Sequence, residues 1–262
     1  VSEWRGRDLG TRTVTYDETQ AILYALAVGA DASDLDLVFE ERLRVLPAFA
    51  LTLAQWAPDV LGSAGAFDVR TAVHGTQRLR VRNPLPRSGA VEMAARVAEV
   101  WDKGSAAVFD VAVESEYFEA TWSIFAPGCG GFGGERGPSA RRRPDAAPSG
   151  ALAVRTAANQ AALYRLLGDR HHLHIDPGAA KAAGMPRPIM HGLCTLAAIT
   201  LPLAASLGAH PADLQELEGR FAAPVFPGDG LRVETWKDDA AVLFEAAADD
   251  RTVISAGRVR FA

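Results

Sequence analysis

The chain has 262 residues, of which 48% are hydrophobic and 23% charged, a balance that excludes a disordered, collagen-like or disulfide-stapled chain. With 27 basic against 32 acidic residues the net charge is -5, so nucleic acid is not an expected partner, and an anionic ligand would need a local basic patch. Two cysteines, Cys129 and Cys194, cannot build a disulfide framework, and no secretory pattern opens the sequence, so a reduced cytoplasmic setting is expected.

Asp17 stands where it can cap a helix through Thr19–Leu26, whose apolar residues recur at helical spacing. Arg78–Arg82 and stretches within Ala107–Glu114 alternate as strands do, and Asp102–Ser105 reads as a hairpin turn. Residues 126–150 hold seven glycines, four prolines and the run Arg141-Arg142-Arg143. That density builds neither helix nor strand and marks a solvated connector.

Beyond the connector, Asn159–Leu166 repeats Thr19–Leu26 at an offset of 140, sharing Gln, Ala, Leu, Tyr and Leu. Gly75, Val81, Pro86 and Val91 are likewise mirrored by Gly219, Val225, Pro227 and Val233. The expectation is a duplicated α+β fold, each half helix first and then antiparallel strands, with units 1–125 and 151–262. Gly192–Ala209 carries no charge. Pro202 and the polar Thr195, Thr200 and Ser206 favour a buried helix inside a curved sheet over a membrane span.

Four of the six histidines lie between 171 and 191. Asp169 and His174 share a loop bracketed by Gly168 and Pro177, where they can converge on one water as general base and general acid. The same spacing also fits a local hydrogen bond. Gly192 opens the uncharged helix, whose first N–H groups lack intrahelical partners; glycine lets a ligand approach such an oxyanion site closely. His171, His172 and His174 invite a zinc reading, but neighbouring histidines rarely face one centre and no further ligand set completes it, so no metal is expected. Cys194 reads as a small buried residue.

The segment Tyr164-Arg-Leu-Leu-Gly-Asp169-Arg-His-His-Leu-His174-Ile-Asp-Pro177, followed by Arg187-Pro-Ile-Met-His-Gly192-Leu, resembles the signature of the (R)-specific enoyl-CoA hydratases, the MaoC-like or type 2 hydratases. His74-Gly75-x-Gln77, Trp101–Gly104 and Gly130–Gly134 look like first-half and linker features of that family's double hot-dog members. The resemblance implies two tandem hot-dog repeats, each a curved antiparallel sheet around a central helix. It implies reversible hydration of trans-2-enoyl-CoA to (R)-3-hydroxyacyl-CoA, with Asp169 and His174 holding the water and the Gly192 N–H binding the thioester oxygen.

By the same resemblance His74, Gly75, Lys103 and Phe221 contact the acyl-CoA, and Arg187 and Arg170 meet its phosphates. No cofactor is implied beyond coenzyme A as part of the substrate; the acyl group is carried on CoA or an acyl carrier protein, and the chain is a monomer or homodimer. The first half lacks the dyad: Asp36 stands five residues after Asp31, and Pro47-Ala48-Phe49 replaces the His-Gly pair. His171-His172 replaces the family's Asn-Pro, and the His171 ring is the expected substitute donor. A specialised polyketide or steroid side-chain dehydratase and a non-catalytic thioester-binding subunit are the alternatives.

Overall fold

The computed structural model describes residues 1–262. Its strands are β1 Asp8–Tyr16, β2 Val73–Val81, β3 Gly89–Asp102, β4 Ala106–Glu114, β5 Phe118–Pro127, β6 Gly150–Arg155, β7 Leu214–Phe221, β8 Gly230–Asp238, β9 Ala241–Ala248 and β10 Arg251–Phe261. The helices are α1 Glu18–Ala27, α2 Leu35–Val38, α3 Phe49–Leu53, α4 Trp56–Ser63, α5 Gln160–Tyr164, α6 Pro177–Ala182 and α7 Gly192–Ser206.

All ten strands join one antiparallel sheet in the order β1-β3-β4-β5-β2-β7-β10-β9-β8-β6. Read outward from the centre, the first half runs β2-β5-β4-β3-β1 and the second β7-β10-β9-β8-β6, so the duplication seen in sequence is present in topology. The halves meet where β2 pairs with β7, with Arg78 opposite Glu218 and Leu79 opposite Leu217. Both halves open with a strand ahead of their helix, which corrects the helix-first expectation. These two strands, β1 and β6, lie at the edges of the sheet, and only a few of their side chains reach the core, so their apolar alternation is weak.

Central strands show the expected alternation. Phe118, Ala120, Trp122 and Ile124 of β5 and Phe109, Val111 and Val113 of β4 are buried on the concave side. In the second half the sheet packs on α7 through β6 and β10, and the fifteen residues of α7 include ten buried ones. Leu196 of α7 sits close enough to Gly219 of β7 that a Cβ there would fall 2.7 Å from it, so glycine permits the approach. The Cys194 thiol donates to the Ala27 carbonyl at 3.4 Å, closing α7 onto the end of α1. In the first half the corresponding space is filled by two short helices, α3 and α4, interrupted at Ala54–Gln55.

The helix starts follow their sequence signals. Asp17 and Gln20 form a reciprocal capping box on α1. Asp176 caps α6, with Pro177 in its first turn.

Between Pro127, where β5 ends, and Gly150, where β6 begins, the connector contains no helix or strand, but it is packed rather than free. The Asp102 carboxylate, 6% exposed, accepts N–H bonds from Gly104, Gly131 and Gly133 at 2.8–2.9 Å, which hold it down to about pKa 2. Arg143 pairs with Glu234 and Glu245 and lies over the Trp236 ring, so the basic triplet is only partly a solvated run. Asp102→Ala is expected to free this segment: limited trypsin digestion of the folded protein should cut at Arg136 much earlier than in wild type. Unchanged cleavage would mean the glycine loop is held by other contacts.

Candidate active site

Gly168 ends the turn after α5 with φ of +148°, a conformation that side chains other than glycine rarely adopt. The chain then leaves helical structure, and Asp169 stands on open backbone. A single 3-10 turn at His172–His174 points the His174 ring back toward it. His174 Nε2 and Asp169 Oδ2 are 4.0 Å apart, with the side chains 12% and 33% exposed. That is too long for a direct hydrogen bond and leaves room for a bridging water. His174 Nδ1 lies 2.9 Å from the Ile189 carbonyl, so Nδ1 carries the proton and Nε2 presents its lone pair to the gap.

Burial holds the His174 pKa below the ordinary imidazole value, against the opposing pull of Asp169 and the Ile189 carbonyl bond. The ring is therefore neutral, as a base must be. Gly192 is the first residue of α7, and no side chain caps that terminus. Its N–H has no acceptor in the chain, which leaves a donor at the positive end of the helix dipole. A Cβ at Gly192 would lie 2.9 Å from the Phe221 ring, so the aromatic face closes directly over the glycine.

Of the residues assigned by resemblance, His74 and Phe221 meet here, with ring centroids 4.7 Å apart. The neighbouring Gly75 lets β2 approach the Ser123 carbonyl of β5, where a Cβ would lie 3.2 Å away. Burial pushes His74 down to about 4. Lys103 is not part of this group: it occupies the β3–β4 turn and its ammonium donates to the Arg136 carbonyl. Arg187, in the segment between α6 and α7, reaches across to the β7–β8 loop, where it bonds to the Pro227 carbonyl at 3.0 Å and Asp229 at 3.2 Å, with 54% of its side chain exposed. Arg170, beside Asp169, is exposed and forms no ion pair.

His171 departs from expectation. Its backbone N–H, not its ring, donates to Asp169 Oδ1 at 3.1 Å, and its Nδ1 accepts from the Leu173 N–H. The ring is tied to its own turn. His172 is exposed and outside the cluster. The third histidine at the site is instead His191, stacked on His174 at 3.6 Å and 24°. In the sequence His191 stands as the flank of Gly192 and inside the His-Gly-Leu of the family signature, with no role of its own; its place before an uncharged helix is the available signal for burial.

Donor atoms of Asp169, His174 and His191 lie within 4.8 Å of one another. The two imidazoles are stacked nearly parallel, so their in-plane lone pairs do not converge as a tetrahedral metal requires. A surface groove of about 590 Å³, lined by Asp36, Leu201 and His210, lies at the other end of α7 from Gly192.

Residues 139–258 match a family model described as MaoC like domain, and residues 14–127 one described as MFE-2 hydratase 2 N-terminal domain. Enoyl-CoA hydratase ChsH3 of Mycobacterium tuberculosis is 35% identical over 94% of this chain and 92% of its own length. The chain belongs to the MaoC-like dehydratase family. Mouse peroxisomal multifunctional enzyme type 2 is 36% identical over 92% of this MaoC-like chain, which spans only 35% of that enzyme. A solved MaoC-like dehydratase from Phytophthora capsici superposes with a TM-score of 0.89 at 25% identity, covering 100% of this chain and 97% of its own. A Mycobacterium tuberculosis protein described as a double hotdog has a TM-score of 0.59 at 15% identity, covering 97% of this chain and 95% of its own; the MaoC-like chain shares that fold.

Three neutral histidines at one site set a pH signature. His74, His174 and His191 have folded pKa values below the unfolded 6.5, near 4 for His74 and His191. Above pH 6.5 they contribute no pH dependence; as pH falls from 6.5 toward 4, the unfolded chain takes up protons that the folded chain refuses. Stability should therefore fall over that window, with a slope of about 1.4 kcal/mol per pH unit for each histidine held neutral. Urea unfolding between pH 7 and 4.5 measures it, and His74→Phe should flatten the slope. An equal slope in that variant would contradict the assignment.

Proposed function

We propose that the chain adds water reversibly across the double bond of a trans-2-enoyl-CoA to give the (R)-3-hydroxyacyl-CoA. The 4.0 Å opening between Asp169 Oδ2 and His174 Nε2 carries the reading, because it fits one water between a carboxylate and a neutral imidazole. His174 Nε2 takes a proton from that water as its oxygen bonds to C3, while Asp169 orients the water through its second hydrogen. Electron density moves to the thioester oxygen, where the unpaired Gly192 N–H meets it; one such donor contributes about 3–4 kcal/mol. The proton on His174 then passes to C2, which restores the neutral ring.

In this reading His74, Gly75 and Phe221 shape the acyl-thioester channel. Arg170 and Arg187 supply the basic patch for CoA phosphates. No metal or redox group takes part, since the proton transfers need none. The relatives' printed names, enoyl-CoA hydratase and 3-hydroxyacyl-thioester dehydratase, support the reaction class. The second name favours the reverse reaction, dehydration of a 3-hydroxyacyl thioester on CoA or a carrier protein, as the second reading.

Loss of enoyl-thioester absorbance with crotonyl-CoA and decenoyl-CoA, with chiral analysis of product, tests the proposal. Wild type should give the (R)-alcohol, and Asp169→Asn and His174→Gln should each lower kcat by about 10²- to 10⁴-fold. Turnover that survives both substitutions, or an (S)-product, would refute it. On the same assay, Gly192→Ala should lose kcat because its methyl group displaces the Phe221 ring from over the N–H; wild-type kcat in that variant would remove Gly192 from the mechanism.

A further inference from the structure

One buried group at the site has no task in the hydration chemistry. His191 is 3% exposed, yet it touches both members of the dyad. Its Nε2–H donates to the Asp169 carbonyl at 3.0 Å, the one hydrogen bond that the Asp169 backbone makes. Its ring lies against His174 at 3.6 Å. On its other side is Tyr164, with ring centroids 4.8 Å apart. Tyr164 in turn shares a 3.3 Å hydroxyl contact with Thr52 of α3 and packs beside Tyr24 of α1 at 6.0 Å.

The packing is costly if packing is all it does. Burial, reinforced by His174 and Arg165, outweighs the opposing pull of Asp169 and keeps the His191 ring neutral. A neutral ring has one N–H, and that proton goes to Asp169. Nδ1 is left buried with no partner, a penalty that a phenyl ring of the same shape would not carry. Meanwhile the loop it restrains has lost the proline of the family signature, and Arg170-His171-His172 are exposed. Nothing else fixes the carbonyl of Asp169.

We propose that His191 is a positioning residue for the hydration reaction, holding Asp169 by its carbonyl and His174 by its face so that the water-sized opening between them is kept. Through Tyr164 and Thr52 the first half of the chain supports the dyad it does not itself contain. The inference rests on the hydratase reading, and its test keeps the two separable.

His191→Phe keeps the ring and removes the donor, and should leave the thermal midpoint at or above wild type. Its kcat should fall about 10- to 100-fold with KM within about threefold, the pattern of a misplaced catalytic group rather than lost binding. His191→Gln, which returns a side-chain N–H, should recover part of that loss. A readout free of substrate is ¹⁵N NMR of the histidine rings. In His191→Ala, His174 should show mixed tautomers and titrate closer to 6.5, because water reaches its exposed face. If wild type fails to hydrate enoyl-CoA, the hydratase reading falls while the NMR still decides the role of His191. Wild-type kcat in His191→Phe, or an unchanged His174 resonance in His191→Ala, would overturn the proposal.

Discussion

Helix α7 carries no charge and buries ten of its fifteen residues, so it must be covered on every side, and the rest of the molecule is arranged to do so. The sheet curves over one side, β7 admits Leu196 at Gly219, and the end of α1 closes on Cys194. Burying such a helix also buries its N-terminus, whose N–H groups are then short of acceptors. No side chain caps it. The cost of that uncapped end is what places an unpaired donor at Gly192, beside the loop that bears Asp169 and His174.

The two halves divide the work along the β2–β7 seam. The second half supplies the dyad, the helix terminus and Phe221. The first half supplies His74 against Phe221 and, through Thr52 on Tyr164, the support behind His191. Its counterparts of the dyad have turned to other uses: Asp31 bonds Ser33, and Asp36 pairs with Arg42. The two repeats thus enclose one candidate site.

Much of this is legible in the sequence. The charge-free run at Gly192 and the Asp17 cap appear in the fold within a residue or two, because both depend on short-range chemistry. The strands that open each half were missed because edge strands bury few side chains and lack a strong alternation. The site divides in the same way. Asp169, His174 and Gly192 are close in sequence and read as a motif, whereas His191 acquires its place only when α7 is buried and its ring stacks on His174. The glycine-rich connector looked solvated because composition reports its backbone, not the buried Asp102 carboxylate to which that backbone is tied.

The account turns on where the reacting atoms sit, and a crystal structure with bound (R)-3-hydroxyacyl-CoA locates them. The product hydroxyl is expected between Asp169 Oδ2 and His174 Nε2, with the thioester oxygen within hydrogen-bond reach of the Gly192 N–H and beneath Phe221. A product whose hydroxyl lies away from that opening, or whose thioester oxygen faces a group other than the end of α7, would contradict it.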